Sequence, residues 1–425
     1  MSSTIIIIVN ILLAVVLAVG LTPLFVWWER RIAGFIQDRS GPNRCNIGPL
    51  RLGGLIQSFA DMLKLVFKED FVPSHIKYKF FFTVAPVIVF LASFLTFAVV
   101  PYADVLVFDD KGHIMQAIPN ELGILWFVAF AGLSVYGIIL GGYSSGSKYG
   151  LLGSIRASAQ VISYEVAMGL AIISMIISYG SIHLTDMVNA QAGTFLGVIP
   201  MWGVFIQPIA AIIFIVCSFA ETNRAPFDLA EGESEIVAGY HTEYSAMKFG
   251  LFQVGEYAAM SASSAIIVTL FFGGYQIPWM DTATIQSNIN YVILAIIVLL
   301  PLKIFFFTRW MKKNNKAIGT DRSREKETKI LTVAFWSICF VVVALLISFL
   351  VTGLGSNGVN IVTAILQVGA FLVKFFMMAF VYIWVRWTVL RFRYDQLQML
   401  GWKVLIPLAL LNIVFTAIVI VTLGN

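Results

Sequence analysis

Apolar runs of roughly 20 residues or more, the length a helix needs to cross a bilayer, recur along the whole chain with short polar segments between them. Ten lie near 4–27, 80–102, 122–143, 158–179, 199–219, 246–272, 289–309, 330–353, 361–387 and 403–423. At about 1.5 Å per residue, each covers the ~30 Å of hydrocarbon. Short segments of strict apolar–polar alternation, the mark of a membrane β-barrel, do not occur. The pattern predicts an all-α, polytopic membrane bundle of about ten transmembrane helices.

One periodic segment is of another kind. "LRLGGLIQSFADMLKLVFKED" sets Leu52, Leu55, Ile56, Phe59, Met62, Leu63, Val66 and Phe67 on one helical face, with Gln57, Asp61, Lys64 and Lys68 on another. It is too amphipathic to span, so a helix at the inner membrane surface is expected, either as an anchor or over the mouth of a cavity. Asp61 is of no use to an anchor beside anionic lipid, which favours the cavity. The segment before it, "QDRSGPNRCNIGP", reads as a stiff, turn-rich stretch.

Composition agrees with the pattern. With 59% hydrophobic and 12% charged residues and a mean hydropathy of +0.88, the chain has about half the charge of a soluble domain. Charge placement adds direction. The leading "MSST" carries no positive charge and "WWERR" follows the first run, which sends the N-terminus outward and argues against a cleaved signal peptide. Threading ten spans from that start puts 28–79, 144–158, 220–248, 309–329 and 386–403 inside, with nine, two, two, eight and four Lys or Arg, or 25 of the chain's 28. Lys111 falls outside, and Lys303 and Lys374 fall within spans. Both termini are expected to face outward from a bacterial inner membrane.

Three isolated cysteines and four dispersed histidines give no disulfide framework, no iron–sulfur ligand set and no metal-ligand spacing. "GGYSSGSKYG" at 141–150 departs from phosphate-loop spacing and reads as a flexible inner turn; no GxGxxG follows a strand, so no dinucleotide site is expected. The basic stretch 309–329 reads as a solvated hinge that fixes topology.

The candidate chemistry lies in charges that the membrane makes costly. Glu165, Glu256 and Lys374 fall inside predicted spans, where an ionised side chain costs at least about 2.5–3.5 kcal/mol, and they suit either proton handling or structural pairing between helices. "AETNRAPFDLAEGESEIVAGYHTEY", residues 220–244, gathers Glu221, Asp228, Glu231, Glu233, Glu235 and Glu243 against Arg224 where a span ends. Pro226 can open a helix there, which would put Asp228, Glu231 and Glu235 on one face with Arg224 paired to one of them. Crowded carboxylates release protons in coupled steps and so can hold and relay them. Arg30 and Arg31, with Phe35 and Gln37, place cationic and hydrogen-bonding groups beside aromatic surface, as an amphiphilic ligand would require; arginines snorkelling at the interface explain them equally.

"ERRIAGFIQDRSGPNR", "GLIQSFADMLKLVFKED", "GSKYGLLGSIRASAQVISYEV", "FAETNRAPFDLAEGESEIVAGYHTEYSAMKF" and "VRWTVLRFRYDQLQMLGWKVLIPLAL" resemble the family of H subunits, also called subunit 1, of the proton-pumping NADH:quinone oxidoreductase, respiratory complex I. The resemblance implies a membrane subunit that joins the redox arm to the membrane arm, lines much of the quinone chamber and begins the acidic path coupling quinone reduction to proton translocation. It implies Arg30, Gln37, Asp61, Arg224 and Phe227 for the quinone cavity or its entrance. It implies Glu165, Glu221, Asp228, Glu231, Glu233, Glu243 and Glu256 for the proton path, with Arg156 nearby and Lys374 as a counter-charge. Quinone would be substrate. Iron–sulfur clusters, flavin and NAD would belong to other subunits, and the partners would be hydrophilic quinone-site subunits, membrane-arm subunits and the lipid bilayer, with no nucleic acid.

The family usually has eight spans, so the chain divides into a core over 1–280, an inserted two-helix segment over 281–360 and a final pair of core spans over 361–425. Two other readings stay open at this point. The equivalent subunit of a membrane-bound hydrogenase would lack quinone. A self-contained secondary transporter would show internal repeats and matching broken helices, and neither is evident.

Overall fold

The computed structural model describes residues 3–108, 111–195, 197, 199–317, 322–353 and 355–423. Helix α1 (Ser3–Val15) runs through a π turn at Val16–Gly20 into α2 (Thr22–Ile36), forming one apolar helix of 33 residues from Thr4 to Ile36. It outlasts the apolar run because "ERRIAGFI" contains no proline, and Ile32, Ala33 and Gly34 are buried. The amphipathic α3 (Leu55–Phe67) and then α4 (Lys79–Thr96) follow. A small antiparallel pair, β1 (Leu106–Phe108) with β2 (Lys111–His113), leads to α5 (Gly123–Ser144) and α6 (Lys148–Tyr179).

A short α7 (Leu184–Ala190) and the pair β3 (Thr194–Phe195) with β4 (Ile199–Pro200) precede α8 (Gly203–Ile206) and α9 (Pro208–Glu221). A single turn, α10 (Glu233–Ile236), lies in the acidic segment before α11 (Ala246–Phe271). The chain ends with α12 (Thr282–Ser287), α13 (Ile289–Ala317), α14 (Arg322–Thr352), α15 (Ser356–Thr388), α16 (Tyr394–Met399) and, after a π turn at Leu400–Leu405, α17 (Ile406–Leu423).

Nine helices among the described residues are long and apolar enough to cross a membrane, and the protein is an all-α, multi-pass membrane bundle. The expected crossing near 199–219 is interrupted. Helices α8 and α9 meet at Gln207 (φ −130°, ψ 63°), which leaves α9 with 14 residues. Pro208 lacks an N–H and pushes the residue before it out of the helical region, which accounts for the break. The Gln207 side chain secures the joint. It donates to Ser178 Oγ and Thr416 Oγ1 at 2.9 Å each and accepts from Asn412 Nδ2 at 3.1 Å, as a broken helix among apolar neighbours requires.

Helix α11 is the axis of the bundle. From Ala258 to Phe271 its residues are buried or nearly so, and it packs against α4, α15 and the α1–α2 junction. Close approach depends on small residues. A Cβ on Gly137 of α5 would lie 2.5 Å from Val89 Cγ2 and 2.9 Å from the Ala85 carbonyl of α4. The main core joins Phe25, Phe97, Phe127, Tyr164, Phe214, Phe271, Phe375 and Tyr382. The hairpin α13–α14 is peripheral: little of its two helices is buried in the isolated chain, and Ile285, Ile289 and Ile293 attach it to Val359, Val362 and Leu366.

Three local expectations differ from what is observed. The turn expected over 141–150 is confined to 145–147: α5 continues through Ser144, α6 starts at Lys148, and Ser145 between them is fully buried. The basic hinge at 309–329 is mostly helix, because α13 extends to Ala317 and α14 begins at Arg322. No helix opens at Pro226, for reasons that belong to the site.

Candidate functional site

The span before the acidic segment ends at Glu221, and residues 222–232 then run as consecutive turns. The carbonyls that a helix from Pro226 would need are already taken. Gln160 of α6 donates to Phe227 O at 2.8 Å, and the Phe392 N–H donates to Pro226 O at 3.2 Å. Gln160 is fully buried, and both donors are distant in sequence. The expected shared face of Asp228, Glu231 and Glu235 therefore does not form, and the three acids point to three different partners.

Arg224 is 2% exposed and does not pair with those acids. Its Nη1 lies 3.3 Å from Glu29 Oε2 on α2, its guanidinium lies 4.0 Å over the Tyr257 ring, and Tyr257 Oη donates to Glu29 at 2.7 Å. Arg386 at the end of α15 pairs with the other oxygen of Glu29. Burial opposes the charge on Arg224, but Glu29 foremost, with Tyr257 and Glu256, raises its pKa above the usual value. A buried charge between two such neighbours stays ionised.

Asp228 receives Arg391 Nη2 at 2.7 Å. Burial first and the charge of Glu231 second push its carboxyl up to about 7, against the opposing pull of Arg391 and Arg386. Glu231 lies 3.6 Å from His241 Nδ1 and 3.5 Å from Gln253 Nε2, and it stands near Glu256 of α11. Tyr240 Oη donates to Glu256 at 3.1 Å, and burial, then Glu256, holds that phenol well above its usual range. Glu29, Arg224, Tyr257 and Arg386 thus form one buried polar cluster, and Glu256, Glu231 and Asp228 lie close by, partnered by Tyr240, His241 and Arg391.

Other predicted residues stand apart from it. Glu165 lies against α5, where a Cβ on Gly132 would come 2.6 Å from its Oε1, and it is the charged neighbour of Glu221. Arg156 takes Glu235 at 2.7 Å near the surface, and Glu243 faces His75 at 3.8 Å. The Glu233 side chain lies outside the described residues. Among the described residues Lys374 meets no carboxylate. Its ammonium donates to the carbonyls of Phe272, Gly274 and Gln276 at 2.8, 3.0 and 2.6 Å and lies 4.7 Å over the Trp202 ring, so it holds the turn that follows α11.

Of the residues implied for the quinone entrance, Arg30 pairs with Asp61, and Gln57 Nε2 steadies that carboxylate at 3.1 Å. Gln37 is exposed at the end of α2 and accepts from Arg39 Nε at 2.7 Å. Phe227 is 4% exposed between Tyr164 and Phe392, with ring centroids at 5.5 and 5.4 Å. On α3 the apolar stripe is only partly covered: Ile56 and Ser58 are buried, while Phe59, Met62, Leu63, Val66 and Phe67 are exposed in the isolated chain.

Sequence reasoning missed Glu29, Tyr257, Tyr240, Arg386 and Arg391. Glu29 stands beside the arginines in "WWERR", and a lone acid flanked by tryptophan and arginine at the end of an apolar helix is itself a signal for a buried pair. Buried side-chain atoms without protein partners include Arg224 Nε and Nη2, Asp228 Oδ1 and Glu221 Oε2; atoms of this kind take bound water or a polar ligand. Two cavities lie elsewhere: one of about 580 Å³ beside Glu121, Gly180 and His183, and an apolar one of about 330 Å³ between Ile6, Leu13, Met115 and Ala364. Among the described residues no group of three or more His, Cys, Asp or Glu is placed to hold a metal ion.

The chain matches the family model described as NADH dehydrogenase over residues 8–316 and 329–417. It is 39% identical over 392 residues to the H subunit of NADH-quinone oxidoreductase from Flavobacterium psychrophilum, covering 92% of this chain and 90% of that protein. With the H subunit from Flavobacterium johnsoniae it shares 37% identity over 422 residues, 99% of this chain and 97% of the relative. NADH-quinone oxidoreductase subunit 8 of Rhodothermus marinus is 39% identical over 395 residues, covering 92% and 91%.

Proposed function

The chain belongs to the family of H subunits of NADH-quinone oxidoreductase, and from that premise we propose that it forms part of the quinone-binding chamber and the start of the acidic path that couples quinone reduction to proton translocation. One observation carries the proposal: Glu29, Arg224, Glu256, Glu231 and Asp228 gather in one region of the fold, where Glu29 and Tyr257 join the helix bearing the entrance residues to the central helix.

Quinone is substrate here, and its reduction consumes protons. Electrons would arrive from partner subunits of the complex, since the network offers only acid–base groups. Arg30 and Asp61 orient α2 and α3 at the entrance, with Gln37 and the exposed Phe35 beside them. Arg224, fixed by Glu29 and Tyr257, supplies a permanent positive charge. Asp228, which titrates near neutral pH, can give up or take a proton as charge changes nearby. Glu231 and Glu256, neighbours of Asp228 and of each other, would pass that change on to α11. Glu165 and Glu221 form a second pair of acids within reach of the same segment, and the same reading assigns Arg156, Glu233 and Glu243 to the path. Lys374 acts by holding the end of α11. By the distribution of Lys and Arg, the acidic segment faces the inside of a bacterial cell membrane and both termini face outward.

Glu231→Gln and Asp61→Asn in the assembled complex test the reading. Both are expected to depress quinone reductase activity while NADH oxidation by an artificial acceptor is unaffected. Normal quinone turnover in both variants refutes it.

A further inference from the structure

We propose that Glu327 is a positioning residue: from the inserted helix pair it fixes the turn that launches α3, and so sets the place of α3 against α2. Glu327 lies near the start of α14, where Glu325, Lys326 and Lys329 are exposed, yet it is itself 6% exposed. Its Oε1 accepts two backbone N–H bonds, from Arg51 at 3.1 Å and from Leu52 at 2.7 Å.

The geometry at Arg51 and Leu52 suits an anion. Arg51 is right-handed (φ −113°, ψ −19°) and Leu52 follows at φ +48°, and a right-handed residue followed by a left-handed one turns successive N–H groups into a concave anion-binding nest. A leucine rarely adopts positive φ, so something outside the turn must hold it there. The carboxylate of Glu327 meets that need from 275 positions away.

The rest of the turn is pinned to α2 and the preceding loop. Trp27 Nε1 donates to Gly53 O at 3.0 Å, and a Cβ on Gly54 would come 2.1 Å from the Pro42 carbonyl. Leu55 begins α3 directly afterwards, and Asp61 meets Arg30 of α2 further along the same helix. The turn is thus gripped from α2 on one side and from α14 on the other. A shift at Arg51 carries through the rigid α3 to the Arg30–Asp61 pair. The functional half of this inference rests on the reading of α2 and α3 as the quinone entrance.

The experiment compares Glu327→Ala, Glu327→Gln and Asp61→Asn in the purified whole complex, by hydrogen exchange of the peptide covering 50–56 and by KM and kcat for a short-chain quinone. In Glu327→Ala the amides of Arg51 and Leu52 are expected to exchange roughly tenfold faster, with quinone KM raised about threefold or more and kcat and artificial-acceptor activity retained. Glu327→Gln is expected to fall between, because its Oε1 still accepts both N–H groups without the charge; it supplies the readout if the alanine variant does not assemble. Unchanged exchange overturns the proposal. Faster exchange with unchanged KM also overturns it, and Asp61→Asn then separates two cases: a raised KM there leaves the quinone reading standing, whereas a normal KM removes both.

Discussion

The phenol of Tyr257 donates a 2.7 Å hydrogen bond to Oε2 of Glu29, joining α11 to α2 across 228 positions of sequence. That carboxylate also receives Arg224 and Arg386, so the two residues hold the cationic end of the polar network in place. Removing Glu29 would leave Arg224 buried without its counter-ion. Glu29→Ala is expected to cost about 3–5 kcal/mol and Tyr257→Phe about 1–2 kcal/mol. The fall in thermal midpoint of the purified complex checks the order, and a larger loss in Tyr257→Phe would contradict it.

Asp228 gives the network a pH signature. Its carboxyl is raised in the fold, by burial and then by Glu231, from 3.8 to about 7. A raised carboxyl contributes stability that is fully present below 3.8 and has gone once the pH has risen through about 7. Asp228→Asn is expected to flatten the decline in thermal midpoint between about pH 5 and 7, where the parent complex loses this contribution. Arg391→Gln removes a group that pulls the carboxyl down, so the inflection should move to higher pH. Melting curves across that range read both, and an Asp228→Asn profile parallel to the parent's would refute the assignment.

Lys374 distinguishes a structural ammonium from a proton carrier. Its three carbonyl acceptors at 2.6 to 3.0 Å leave it no donor for an acid. Lys374→Met is expected to destabilise the complex by about 2 kcal/mol or more, because buried carbonyls lose their donor, while protons pumped per electron stay unchanged in whatever complex assembles. A lower pumping ratio with normal thermal stability would return Lys374 to the proton path.

Gly239 sets the shape of the acidic segment. It sits at φ +57°, and a Cβ there would come 1.8 Å from the Ala230 carbonyl, with Gly153 of α6 packed against its Cα. Gly239→Ala forces the strand of turns carrying Glu231 away from α6, at about 2 kcal/mol or more. Quinone reductase activity is expected to fall with it, measured against artificial-acceptor activity in the same preparation.

Much of the architecture was legible in the chain because hydrocarbon tolerates so few solutions: runs of leucine, isoleucine and phenylalanine must become helices. The sharper details depended on contacts with no local trace. Gln207 and Pro208 do signal a break, since a residue before proline leaves the helical region, but the apolar run continues across them and conceals it. The path of Asp228, Glu231 and Glu235 is set by Gln160 and by the Phe392 amide, which take the carbonyls a helix would have used. Arg224 was paired with the wrong acid for the same reason: the neighbours in sequence were six carboxylates, and the partner in space was Glu29. Lys374 looked like a counter-charge from its depth alone, because a row of backbone carbonyls leaves no mark in composition.

Helix α11 carries its last ionisable side chain at Glu256, apart from the phenol of Tyr257 next to it. Beyond them, Ala265 to Phe271 are enclosed by neighbours and offer no acid or base, and the end is stoppered by Lys374. On α11 the carboxylates therefore stop at Glu256, and a proton route of the kind proposed would have to leave this helix there for a neighbouring element.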